Sequence, residues 1–235
     1  MALPVLPPPY MLVLVERERD PLAHARAHAA RGVEDGLLVL ADRADRLALA
    51  LLLEPDRPRA ATLETLYLLA NAAADMLATH LPPLLPVGLG WPGRLLVDGA
   101  EVGRLRLAVA DSAPEAPPAW LVLGLDLALA AGPDEPGRDP ERATLEELAG
   151  EAPDPVELTE SLSRHFLSWL ERLEREGPGP VRAAWNARCQ RRGQPARLAL
   201  GGRELAGSLG GIDATGALLL GAHRVPLEAA LGALE

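Results

Sequence analysis

Residues 120–130 read WLVLGLDLALA, which puts Leu121, Leu123, Leu125, Leu127 and Leu129 on one side and Val122, Gly124, Asp126 and Ala128 on the other. A period of two belongs to a strand with one buried face, and no helix keeps those five leucines together. The same split recurs in Leu105, Leu107 and Val109 against Arg104, Arg106 and Ala108, and in Leu47, Leu49 and Leu51 against Ala48 and Ala50. Three such segments predict a mainly antiparallel sheet, with a leucine face packed on helices and an opposite face that is small and polar. That second face is either solvated surface or the floor of a ligand site.

Other elements are expected around this sheet. An apolar run at 10–15 predicts a strand, and Asp20-Pro21 starts a helix over 21–31. Apolar runs at 36–41 and 47–53 flank the polar 42–46, a hairpin or short loop. Helical spacing runs over 62–80, and Asp98-Gly99 is a turn dipeptide between two strands. Proline, glycine and acidic residues mark 132–155 as an exposed connection with one helical turn near Leu145. Helices are predicted over 155–176 and 181–192. Short strands at 196–200, 204–209 and 217–221, punctuated by glycine, then suggest a small barrel with Leu218 and Leu220 on opposite faces of one strand.

Composition removes whole classes of chemistry. All 23 basic residues are arginine, so the chain has no phosphate-cradling, Schiff-base or acceptor lysine. The formal charge of -10 repels phosphate backbones, so no nucleic-acid partner is expected. Cys189 is the one cysteine, which excludes an internal disulfide and suits a reduced, cytoplasmic setting. No apolar run reaches the roughly 18 residues of a spanning helix, and the proline-rich start lacks the features of a signal peptide, so no membrane partner is expected. His24 and His28 stand four apart with no third ligand at a defined spacing, and no metal site is assigned.

The segment from Trp91 to Gly103 (WPGRLLVDGAEVG) resembles the biotin protein ligase signature, in which Lys-Trp-Pro-Asn-Asp leads through a strand and turn to a lysine before a glycine-containing step. The spacing from Trp91 to Glu101 matches that from the tryptophan to the family's lysine. Residues 121–129 resemble the strand that follows, with Gly124 on its first glycine, and Trp185, Gly207, Gly211 to Asp213 and Gly216 to Leu220 resemble the ligases' small C-terminal domain. The resemblance implies an α+β fold: a biotin/lipoate protein ligase-like mixed sheet flanked by helices over 1–185, then a small SH3-like β-barrel over 186–235. Pairing at a sheet edge, as in the family, would make a homodimer.

The positions that carry the family's chemistry differ. Gly90, Gly93 and Arg94 stand where the signature has lysine, asparagine and aspartate, and Glu101 replaces the later lysine. A carboxylate there inverts the local field, which in the family steadies negative charge during adenylate formation. Arg104 takes the place of a glycine beside the substrate, Asp126 that of a second glycine, and 42–46 is far too short for the loop that wraps the ligand. Arg94 and Glu101 are either a sign-swapped ion pair or two unrelated changes. No catalytic residue is assigned. The candidate ligand-binding residues are Arg43, Arg46, Trp91, Arg94, Glu101, Gly103, Arg104, Gly124 and Asp126, with Arg104 expected to pair with Asp126 and to fill part of the hollow. Two functions follow: a catalytically degenerate relative that binds a small carboxylate or a carrier-type protein, or an active ligase that uses ATP and magnesium to join biotin, lipoate or a related acid to a carrier lysine.

Overall fold

The computed structural model describes residues 3–32, 35–131 and 141–234. Its main sheet has seven strands in the order β1-β2-β3-β7-β6-β5-β4. These are β1 (Met11–Val15), β2 (Leu37–Ala41), β3 (Arg46–Leu53), β4 (Val87–Gly90), β5 (Arg94–Val97), β6 (Ala100–Val109) and β7 (Leu121–Ala128). Only β1 runs parallel to its neighbour, so the sheet is mixed but mainly antiparallel, as the alternation predicts. Asp98 and Gly99 turn between β5 and β6 with φ of 48° and 84°, the left-handed pair that a two-residue hairpin needs.

The leucines of β3, β6 and β7 form one continuous core with helices α3 (Thr65–His80) and α5 (Pro155–Glu176). Each fully buried leucine contributes about 2 kcal/mol through burial, which sets the orientation of the sheet. Helix α5 starts where Asp154 caps the backbone N–H of Val156 at 2.8 Å ahead of Pro155, and stops at Gly177. A short helix, α2 (Arg59–Leu63), precedes α3, and the two break at Glu64.

The opposite face matches neither expectation completely. Helix α1 (Pro21–Ala29) lays Leu22, Ala25 and Ala29 on Val39, Ala48, Ala50, Ala108 and Val122, a second small core. Half of the small-residue face is thus covered, and the charged half beyond it stays open. The connection expected to be exposed lies partly outside the described residues (132–140). Its later part holds α4 (Leu145–Ala149), capped reciprocally by Thr144 and Glu147, and Leu145 is buried in the main core. The rest of 141–155 is exposed or half-exposed, and the short helix stands where one helical turn was expected.

Helix α6 (Gly179–Arg188) ends four residues before the predicted 192, because Cys189 and Gln190 leave it to lie along β4, where the Gln190 N–H donates to the Leu89 carbonyl. The C-terminal part is a small antiparallel β domain ordered β11-β10-β9-β8: β8 (Pro195–Leu200), β9 (Arg203–Ile212), β10 (Leu218–Leu220) and β11 (His223–Val225). Leu218 and Leu220 are both buried, with Leu219 between them partly exposed. Residues i and i+2 of a strand share a face, so their expected placement on opposite faces is corrected. A last helix, α7 (Leu231–Leu234), packs on β6, and Leu234 reaches the backbone at Gly93.

Candidate functional site

Strand register lines up one lateral row across the open face. Gly90 of β4 faces Arg94 of β5, Arg94 faces Arg104 of β6, Arg104 faces Asp126 of β7, and Asp126 faces Ala48 of β3. Two hollows lie at the ends of this row, with Arg104 in the lining of neither.

The hollow at the Asp126 end has a volume of about 280 Å3. Its floor is Gly124 and Asp126, and a Cβ on Gly124 would stand 3.1 Å from both Leu22 and Arg106. Arg46 approaches Asp126 at 3.2 Å, Arg106 bonds Asp20 at 2.8 Å, and Arg43 grips Asp45 through two hydrogen bonds of 2.7 and 3.2 Å. Arg17 and Arg19 complete the five arginines of the lining, beside Glu18, Asp20 and Asp126, and they approach Asp45 and Glu16 at 3.6 and 3.8 Å, so each of the five has an acid beside it. Hydrogen bonding to Arg43 holds the Asp45 carboxyl below its usual range. Burial pushes that of Asp126 up, against the opposing pull of Arg46, Arg106 and Arg43.

Between the hollows stands a triad. Glu101 is 3% exposed and is gripped by the guanidiniums of Arg94 and Arg104. Residues three apart in a regular strand point to opposite faces. Here a bulge pairs Leu95 with Gly103 but Leu96 with Glu101, so Glu101 and Arg104 share a face while Val102 turns into the core. Burial alone would raise the Glu101 carboxyl, but the two arginines outweigh it and hold it low. Gly103 is required by its neighbour, since a Cβ there would lie 2.4 Å from the Asp126 carbonyl oxygen. The expected Arg104–Asp126 pair is thus corrected. Arg104 turns to Glu101 and is 61% exposed, while Asp126 takes Arg46, and Arg106 is the arginine that closes the hollow.

Trp91 faces the other hollow, and its indole N–H donates to the Tyr67 hydroxyl at 3.2 Å. The nine candidates therefore divide. Arg43, Arg46, Gly124 and Asp126 share one hollow, Trp91 and Arg94 line the other, Glu101 and Arg104 stand between, and Gly103 lies under the backbone. Residues 17–22 escaped the sequence reading. Their one signal, the alternating charges of Glu16 to Asp20 before the Asp20-Pro21 helix start, reads equally well as solvated surface.

Among the described residues no cluster of three or more His, Cys, Asp or Glu could hold a metal, and the acid nearest the signature, Glu101, is committed to two guanidiniums. No helix among the described residues is long and apolar enough to cross a membrane.

Comparison with known proteins places this geometry. Residues 6–187 match the model of the biotin/lipoate A/B protein ligase family. A biotin--[acetyl-CoA-carboxylase] ligase of Paracoccus denitrificans is 33% identical over 179 residues, covering 75% of this chain and 74% of that protein. The crystal structure of a biotin protein ligase-like protein of unknown function from a Silicibacter species has a TM-score of 0.85 and 31% identity over 95% of this chain and 96% of the other. The Aquifex aeolicus biotin protein ligase in complex with biotin and ATP superposes with a TM-score of 0.75 at 17% identity, covering 92% of this chain and 95% of that one, which shows the fold alone.

Proposed function

This chain belongs to the biotin/lipoate A/B protein ligase family, and we propose that within it the protein acts by binding, holding a small carboxylate in the hollow at Asp126 without adenylating it. The gathering of five arginines around one small hollow, within a chain of charge -10, carries the reading. A planar guanidinium takes a carboxylate through two parallel hydrogen bonds. The entering anion competes with Asp126 for Arg46, and Asp126, whose carboxyl burial pushes up, is the acid it displaces. Chemistry is opposed by Glu101, whose fixed negative charge stands where the family has a lysine. The same reading takes 1–185 as the ligase-like unit and 186–235 as an SH3-like barrel, places the protein in the cytoplasm, and keeps a carrier-type protein as the alternative occupant.

Thermal unfolding with and without ligand tests this. Millimolar small carboxylates such as acetate or pyruvate are expected to raise the melting temperature of the wild type and not of Arg46→Ala, while biotin raises neither. No shift with any small carboxylate, or saturable micromolar binding of biotin, overturns the proposal. One observation favours the second reading, an active ligase for biotin or lipoate: the 33% identity to the Paracoccus denitrificans enzyme. Pyrophosphate exchange that depends on ATP and either acid decides between them. Exchange at the blank level is expected, and exchange clearly above it would establish the ligase.

A further inference from the structure

The larger hollow, at the Gly90 end of the row, has a volume of about 590 Å3 and lies between the Trp91 hairpin and the inner face of the β8–β9 hairpin. Leu198, Leu209 and Leu218 line one wall, Trp91 and Leu96 the other. Trp91, Leu96 and Leu218 are buried, whereas Arg191 and Arg197 in the same lining are exposed, so the apolar part lies deeper than the cationic part. A hollow of this size, apolar within and charged at the mouth, has the form of a small-molecule site.

Two further observations fix the sign of its occupant. From Gly177 to Arg203 the chain carries six arginines and no acid, against its overall charge of -10. Most are committed: Arg182 to Glu64, Arg188 to Asp75, Arg192 to the Gly210 carbonyl and Arg197 to Glu204. Arg191 has no side-chain partner among the described residues, and it holds φ at 59°, a conformation that favours glycine. A side chain kept where glycine would be easier is the kind of local cost that function leaves behind.

We infer that this groove binds an amphiphilic organic anion, with its head group on the Arg191 guanidinium and its apolar body between Leu198 and the Trp91–Leu96 wall. It is a separate site from the Asp126 hollow, since Arg104 stands between the two in the lateral row.

The test uses the whole chain and 8-anilinonaphthalene-1-sulfonate, an anionic apolar dye whose fluorescence rises on leaving water. Saturable binding of one dye per chain is expected, with displacement by naphthalene-2-sulfonate and not by methanesulfonate or by neutral 2-naphthol. Arg191→Gly is expected to weaken binding about tenfold without lowering the melting temperature, because the backbone there already suits glycine. Leu198→Asp, on a half-exposed hairpin position, weakens it at least as much, and Arg46→Ala leaves it unchanged, which separates this site from the carboxylate site. Absence of saturable binding, equal affinity in wild type, Arg191→Gly and Leu198→Asp, or displacement by 2-naphthol as effective as by the sulfonate overturns the inference.

Discussion

A carboxylate that is 3% exposed and shared by two guanidiniums cannot be exchanged for a cation without consequence. Glu101→Lys, which puts back the residue type of the family signature, sets a third positive charge between Arg94 and Arg104. It is expected to cost about 2 to 3 kcal/mol in urea denaturation, less than a wholly buried pair because both arginines are partly hydrated. Arg94→Asp combined with Glu101→Lys should recover most of that loss, because the pair is restored with its signs exchanged. Because its folded-state pKa is held low, Glu101 contributes stability that is present above its ordinary value of 4.5 and lost as the pH falls below it. The difference in stability between wild type and Glu101→Gln should therefore shrink between pH 5 and pH 3, and a constant difference would contradict the assignment. At this scale the sequence showed that the signs were reversed and not which charges meet. Strict alternation puts Glu101 and Arg104 on opposite faces, and the bulge that reunites them has no signal in LLVDGAEVG.

Elements meet through a few buried polar groups more than through their ends. The Tyr67 hydroxyl on α3 accepts from the Trp91 indole at 3.2 Å and donates to the Gly216 carbonyl at 2.7 Å, tying a helix, the β4–β5 turn and the β9–β10 turn together. Its burial pushes the phenol far above its usual range, so it stays protonated and keeps donating. Tyr67→Phe strands both partners and is expected to cost about 2 kcal/mol. The change should also alter Trp91 emission, which simple loss of stability leaves untouched below the unfolding transition. Nearby, Asp75 accepts from the Trp169 indole and from Arg188, and Arg188 also donates to Asn71, so α3, α5 and α6 are pinned by one network. The predicted helices over 62–80 and 155–176 correspond to observed elements because apolar spacing and the Asp154-Pro155 start mark them directly. Strand β4 was missed: VGLG between prolines and a tryptophan has too few residues to display a period, and it is held by partners on both sides.

At the scale of the whole molecule, the two sheets share one interior. Ile212, Leu218, Leu220, Val225, Leu227 and Leu234 belong to the same core as the leucines of β3, β6 and β7, and Asn186 clamps β9 by bonding both the N–H and the C=O of Ile212 at 2.8 Å. Calorimetry is therefore expected to show one cooperative unfolding transition, and two resolved peaks would mean that the small β domain melts alone. The order of elements was legible because three alternating strands and one hairpin signature carry it. The covering of the small face by α1 was not, since four of that helix's nine residues are alanine and its apolar stripe is faint. The hollow at Asp126 lies where this covering ends, and so could not be seen from the strands alone. That shared interior also bears on synthesis. Strand β6 and Gly93 find neighbours in α7, more than a hundred residues further along the chain. A nascent polypeptide emerging from the ribosome thus keeps part of its leucine face wet until the residues around 234 have been made. For that interval the exposed leucines are a surface on which two unfinished chains could stick together.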